Sequence, residues 1–207
     1  ITNSHLKKMK RLFLLAFSIF IFSTSSFAVT YNSEPKIFIA ELVGDAIKTL
    51  SDKSISQEDK KKIIEKIALE NVDIDALGMY TLGDTRKTLE KNILNNYKNL
   101  FKQYFLKTLT SRLTDYSSNK FEVLGSEQKS STYTIVQSRI IESDNQPELK
   151  IDWRVYTKDP LKPLIRDLIV EGLSLARTQK EEFASILSSN NNDINALLNK
   201  LKEFISK

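Results

Sequence analysis

The spacing of apolar residues changes period twice along this chain, and that constrains the fold more than any motif does. From Pro35 to Tyr116 apolar residues recur at steps of three and four, the mark of helices with one buried face. From Phe121 to Val170 the step falls to two, the mark of strands with one face buried and one wet. From Ala176 the helical step returns. Helices, then a run of strands, then helices is an α+β layout. We therefore expect a single domain, with about four antiparallel strands packed with N- and C-terminal helices.

Within the first block, Ile37, Phe38, Leu42, Val43, Ala46, Ile47 and Leu50 predict a helix starting near Ser33 and Pro35. Ser56-x-x-Asp59 resembles a capping box, with Ile63, Ile64, Ile67 and Ala68 as the buried stripe behind it. Asp73 is placed to cap a short helix through Tyr80, and Gly83 interrupts. A long helix is expected from about Thr85 to Tyr116. Its stripe of Leu89, Ile93, Tyr97, Leu100 and Tyr104 is widened by Leu94, Phe101 and Phe105. That width suits a central core helix, and equally a helix lining an internal cavity.

The strands are read at Phe121–Val123, interrupted by Gly125, then at Thr132–Glu142, Leu149–Tyr156 and Leu164–Val170. Turn chemistry separates them, in Lys129-Ser130-Ser131, Asp144-Asn145-Gln146-Pro147 and Asp159–Pro163. Two helices follow, broken at Asn190-Asn191-Asn192.

The first 28 residues read differently. Met9 is a more natural start than Ile1. Lys10 and Arg11 precede the apolar run Leu12–Phe22, and Ser26-Phe27-Ala28 has the small-x-small form of a cleavage site. Eleven apolar residues rise about 16 Å as a helix, short of a hydrocarbon core about 30 Å thick. An export signal over residues 1–28, followed by a body over residues 29–207, is therefore expected in preference to a retained anchor. This segment holds four of the 31 basic residues and no acid. The remaining 27 basic residues face 26 acidic ones. A near-neutral body argues against nucleic acid as a partner.

Reaction chemistry is scarce. Cysteine is absent, and the single histidine is His5, inside the expected export signal. Ser-His-Asp and Cys-His catalysis and thiolate or imidazole metal sites then have no residues to use. Gly172-Leu173-Ser174-Leu175-Ala176 echoes a nucleophile elbow without its second glycine. Ser-x-x-Lys at Ser33, Ser117 and Ser126 fits chance in a chain rich in both residues. No spacing of the five glycines cradles a phosphate. We expect no enzyme, no cofactor and no metal, and a binding protein or carrier instead.

Val170-Glu171-Gly172-Leu173-Ser174-Leu175, after a strand and before a helix with Phe183, together with Ala76-Leu77-Gly78-Met79-Tyr80 ahead of the long aromatic helix, resembles the MlaC family of periplasmic phospholipid shuttles, also known as toluene-tolerance auxiliary proteins. The chain departs from that family at Thr81–Thr85, where an aromatic and basic stretch with Ala-Thr is usual. The resemblance implies a cavity for phospholipid acyl chains. It also implies movement of lipid between an outer-membrane lipoprotein complex of MlaA type and the MlaD-type MCE protein of an inner-membrane ABC transporter, preserving outer-membrane asymmetry. Two acyl chains of about 30 methylenes together would cost on the order of 24 kcal/mol to expose to water, so such a carrier needs an apolar interior.

Strand parity and helix angle place that cavity between the sheet and the long helix. Its expected lining is Leu77, Tyr97, Phe101, Tyr104, Phe105, Trp153, Val155, Leu168, Val170 and Leu173. Lys60–Lys62 and the Lys150/Arg154 face are candidate docking patches, or simply solvated surface. An exported α+β interaction module with a filled core is the alternative reading.

Overall fold

A computed structural model describes residues 30–113, 120–143 and 146–207. The expected export signal, the Tyr116 end of the long helix and Asp144-Asn145 of one turn lie outside the described residues. Six α-helices and five strands are formed among those described: α1 Pro35–Ser51, α2 Gln57–Asn71, α3 Ile74–Leu82, α4 Lys91–Leu113, β1 Phe121–Ser130, β2 Tyr133–Ile140, β3 Leu149–Tyr156, β4 Leu164–Val170, β5 Leu173–Ser174, α5 Leu175–Ser188 and α6 Ile194–Ser206. None of these helices is long and apolar enough to cross a membrane.

α1, α2, α3, α5 and α6 each start where a side-chain oxygen serves the free amides. Glu34 rather than Ser33 caps α1, with Pro35 in the first turn, where its missing N–H is no loss. Ser56 caps α2 by accepting from the Asp59 amide, and Asp73, Ser174 and Asp193 cap α3, α5 and α6. The long helix begins at Lys91, not Thr85, because Gly83–Lys87 forms a 3-10 turn instead. Gly83 stands at φ +60, a left-handed conformation open to glycine. The buried residues of α1 are Phe38, Ile39 and Leu42, whereas Ile37 is exposed.

The sheet is an antiparallel meander in the order β1-β2-β3-β4-β5. Gly125 does not end β1. The strand runs on to Ser130, and the register slips between Val123 and Gly125, so that Leu124 is the extra residue of a bulge. Another slip between Gln128 and Ser130 leaves Lys129 extra, and a third, opposite Arg154/Val155, makes Arg166 the extra residue of β4. The fifth strand, absent from the sequence reading, is the two-residue return of β4 through Glu171-Gly172, both at positive φ.

Two apolar cores result. Phe38, Ile39 and Leu42 of α1 pack on Val136, Val155 and Ile165 of one sheet face. Ile74, Leu77, Tyr97, Phe101, Phe183, Leu197 and Leu201, among others, form a second core between α3, α4, α5 and α6. Val72 packs against both. Beside it the Asp73 amide donates to the Ile165 carbonyl at 2.9 Å, and Asp73 Oδ2 accepts from Arg166 Nε and Nη2 at 2.9 and 2.8 Å. The Arg166 guanidinium also lies 3.6 Å from the centre of the Tyr156 ring and donates to the Tyr133 hydroxyl at 2.8 Å. Burial opposes its charge, but these bonds to Tyr133 and Asp73 outweigh that and raise its pKa above the ordinary arginine value.

Asp73 thus serves as helix cap and as ion-pair partner at the seam between the cores. We expect Asp73→Ala to cost roughly 2–3 kcal/mol in urea unfolding, the sum of a lost cap and a lost charge-assisted bond. Asp73→Asn, which keeps a capping oxygen, should cost about half as much. Equal stability of Asp73→Ala and the parent chain would remove the seam from this account.

Candidate functional site

The ten residues expected to line one cavity fall into different places. Leu77, Tyr97 and Phe101 are buried in the helical core, with Tyr104 and Phe105 packed against it. Phe101 stacks on Tyr97 and Phe105 and meets Phe183 edge-on, with centroids 5.9, 6.4 and 6.3 Å apart. The Tyr97 and Thr81 hydroxyls lie 2.8 Å apart and both reach the Gly78 carbonyl. Burial pushes the Tyr97 phenol above its usual range, and does the same less strongly to Tyr104.

Trp153, Val155 and Leu168 belong instead to the core between the sheet and α1. Val170 is half-buried on the same face, opposite Ile151. Leu173 is 57% exposed and lines no interior. The long helix therefore does not face the apolar side of the sheet. Its partners are α2, α3, α5 and α6, and α1 covers the sheet. The reason is that a wide apolar stripe on a helix fits a helical neighbour as well as a sheet, and sequence spacing does not choose between them.

Open space does occur beside the sheet, next to α1. A groove of about 620 Å³ runs between α1 and the edge strand β1. Ala40, Gly44 and Ile47 form the helix wall, and Lys120, Phe121, Glu122, Val123 and Ile141 the sheet wall. The helix residues stand at i, i+4 and i+7, one line along α1, and the first two are small. A Cβ added at Gly44 would meet nothing within 4 Å. Behind this wall Phe121 meets Trp153 edge-on at 6.2 Å, and Phe121 and Val123 pack against the sheet–α1 core. The Trp153 indole N–H donates to Ser138 Oγ at 2.8 Å, and Ser138 donates to the Ile151 carbonyl at 2.6 Å. The half-buried ring thus has its one polar atom satisfied. An apolar groove of this size lies within the roughly 300–1,000 Å³ typical of ligand pockets.

The alternatives are poorer. A depression of about 320 Å³ between α3 and α5 is framed by Tyr80, Arg177, Lys180, Glu181 and Ala184. Its cations are engaged, Arg177 with Glu181 at 3.6 Å and Lys180 over the Tyr80 ring at 5.1 Å. Ser174, the serine of the elbow-like sequence, caps α5 and bonds to Asp167, whose other oxygen accepts from the Ala176 amide. That is a turn-to-helix junction in which Asp167 and Ala176 are buried and Ser174 is half-buried. Among the described residues no three His, Cys, Asp or Glu cluster as a metal site.

Of the docking patches, Lys60 is buried, and its ammonium donates to the Leu50 carbonyl at 2.8 Å, so it is not part of a surface cluster. Lys61 and Lys62 pair with Glu65 and Glu58 along the helix. Arg154 stacks over Tyr133 at 4.3 Å, and Lys150 is exposed.

Two glycines make the contrast between packed core and open groove measurable. Alanine is favoured over glycine in a helix by up to about 1 kcal/mol. We expect Gly44→Ala to gain about that much in thermal or urea unfolding, because its methyl enters open space. At Gly78 the new Cβ would stand 2.9 Å from Phe101 Cδ1. Gly78→Ala should therefore lose about 1–3 kcal/mol. A destabilised Gly44→Ala would mean that the groove is closed in solution.

A solved structure of a phospholipid-binding protein from Ralstonia solanacearum, determined with a phospholipid bound, has the same fold. The TM-score is 0.69 and the identity 18%, over 81% of this chain and 94% of the other. A search of curated proteins finds no match. The sequence model of the MlaC protein matches residues 40–203, a span that holds the whole meander and both quoted motifs, and the chain belongs to the MlaC family.

Proposed function

We propose that this protein is a non-enzymatic phospholipid carrier whose acyl-chain site opens at the groove between α1 and β1. The observation that carries the reading is the open apolar groove beside Gly44, whose wall residues Phe121 and Val123 pack against the sheet–α1 core, in a chain of the MlaC family. The Ralstonia protein of the same fold holds a phospholipid, which supports the same ligand class here. The helical core, tightly stacked around Phe101, serves as the rigid support. In this reading Trp153, Val155, Leu168 and Val170 meet the lipid when α1 moves outward, and Leu77, Tyr97, Phe101, Tyr104 and Phe105 act as framework.

In this reading the N-terminal segment directs export to the periplasm. There the carrier exchanges lipid between an outer-membrane lipoprotein complex of MlaA type and an inner-membrane MCE protein of MlaD type. The body is nearly neutral, so docking relies on local patches, and exchange is brief because a carrier must leave both membranes.

Native mass spectrometry of protein purified from the periplasm tests this. One phospholipid per chain is expected, and Gly44→Phe should fold but carry at most a tenth of the parent's lipid. Trp153 is the single tryptophan, and its emission should be blue-shifted in the native state and change on delipidation. Lipid-free protein from the periplasm would favour a filled interaction module instead.

A further inference from the structure

We propose that Lys120 holds the phosphodiester of the bound lipid, so that the groove selects phospholipids over neutral lipids with the same acyl chains. The proposal rests on the carrier reading above and assigns the polar end of that site.

Of the described residues that line the groove, two, Lys120 and Glu122, are charged. Their situations differ. Glu122 Oε2 accepts from Arg139 Nε at 2.9 Å and from Nη2 at 2.8 Å, and Arg139 Nη1 donates to Glu148 at 3.0 Å. The carboxylate in the groove wall is thus neutralised from the neighbouring strand, and its pull raises the Arg139 pKa above its ordinary value. Lys120 forms no ion pair or side-chain hydrogen bond with any described residue. Its backbone is fixed, since its carbonyl accepts from the Ile141 amide at 2.8 Å, while its side chain stays exposed. Next to it Phe121 leads inward to Trp153.

Among the described residues the groove therefore carries one uncommitted positive charge at its rim and apolar surface behind it. That is the complement of an amphiphile with one negative charge at the base of its apolar tails. A phosphodiester supplies that charge in any diacyl phospholipid, whatever its headgroup substituent. Diacylglycerol has the same tails and lacks it. An exposed pair of this kind is modest, so the expected selection is about fivefold, weakening with salt.

The full chain, delipidated, is offered an equimolar mixture of phosphatidylglycerol and diacylglycerol of identical acyl composition, and the bound ratio is read by native mass spectrometry. A parallel series uses phosphatidylethanolamine in place of phosphatidylglycerol. Lys120→Gln should lower the phospholipid preference about fivefold in both series, Lys120→Glu further, and Lys120→Arg should retain it. Diacylglycerol loading offered alone should not change, and thermal unfolding should show all variants folded, since the side chain is exposed. A bound ratio identical in parent and Lys120→Glu overturns the assignment while leaving the carrier intact. Loss of both lipids together would make Lys120 structural and also overturns it. If the parent chain loads neither lipid, the carrier reading itself falls.

Discussion

The seam at Asp73 is the constraint on which the rest of the structure depends. A chain of this length has more apolar surface than one sheet face can cover, and here it divides that surface between two cores. The divided parts must still be held in one orientation. Val72 touches both cores, and directly after it Asp73 caps α3, bonds to the backbone of β4 and takes the Arg166 guanidinium. Arg166 is the extra residue of the β4 bulge. The bulge is thus the device that lets one strand present Ile165 to α1 and Asp167 to the start of α5. With Asp167 buried, its two oxygens need partners, and Ser174 and the Ala176 amide supply them. This explains why the segment after β4 turns so tightly into α5.

Dividing the core also separates rigidity from openness. The helical core has aromatic rings stacked through Phe101 and glycine where a methyl would collide with that ring. The sheet–α1 core has small residues along the edge of the helix and a groove beside them. Protein interiors gain from close packing, so an unfilled apolar groove is a cost that a ligand can offset. The proposed carriage of lipid would use this asymmetry, with one part of the molecule firm enough to stay folded while the other opens.

Much of the fold was legible in the sequence because the relevant signals are local. Asp73 as a cap, Leu149–Tyr156 as an alternating strand and Ser56 as the start of α2 follow from residue types at short spacing. Lys60 was not legible as a buried group, because its partner, the Leu50 carbonyl, lies ten residues away at the end of another helix. The Leu124 and Arg166 bulges were hidden as well. A bulge is a mismatch between two strands, and one strand read alone does not show it. Parity put Trp153 and its neighbours on β3 and β4 on the sheet face that α1 covers, and they stand behind the groove rather than in its lining. Gly44, Ala40 and Ile47 were missed, since small residues on a helix look like a weak stripe until the space beside them is known.

By itself the sequence determined the α+β class, the order of the main elements, the absence of cysteine and its thiol chemistry, and the family. All of these depend on composition or on residues within a few positions of one another. Only the tertiary structure decided that α1 and not the long helix lies against the sheet, and that the aromatic stripe of α4 is spent on other helices. The physical reason is that hydrophobic burial has no direction. A periodic pattern states which face of an element must leave water. Which partner covers that face depends on the shape of everything else, here on one aspartate, one arginine and an extra residue in β4.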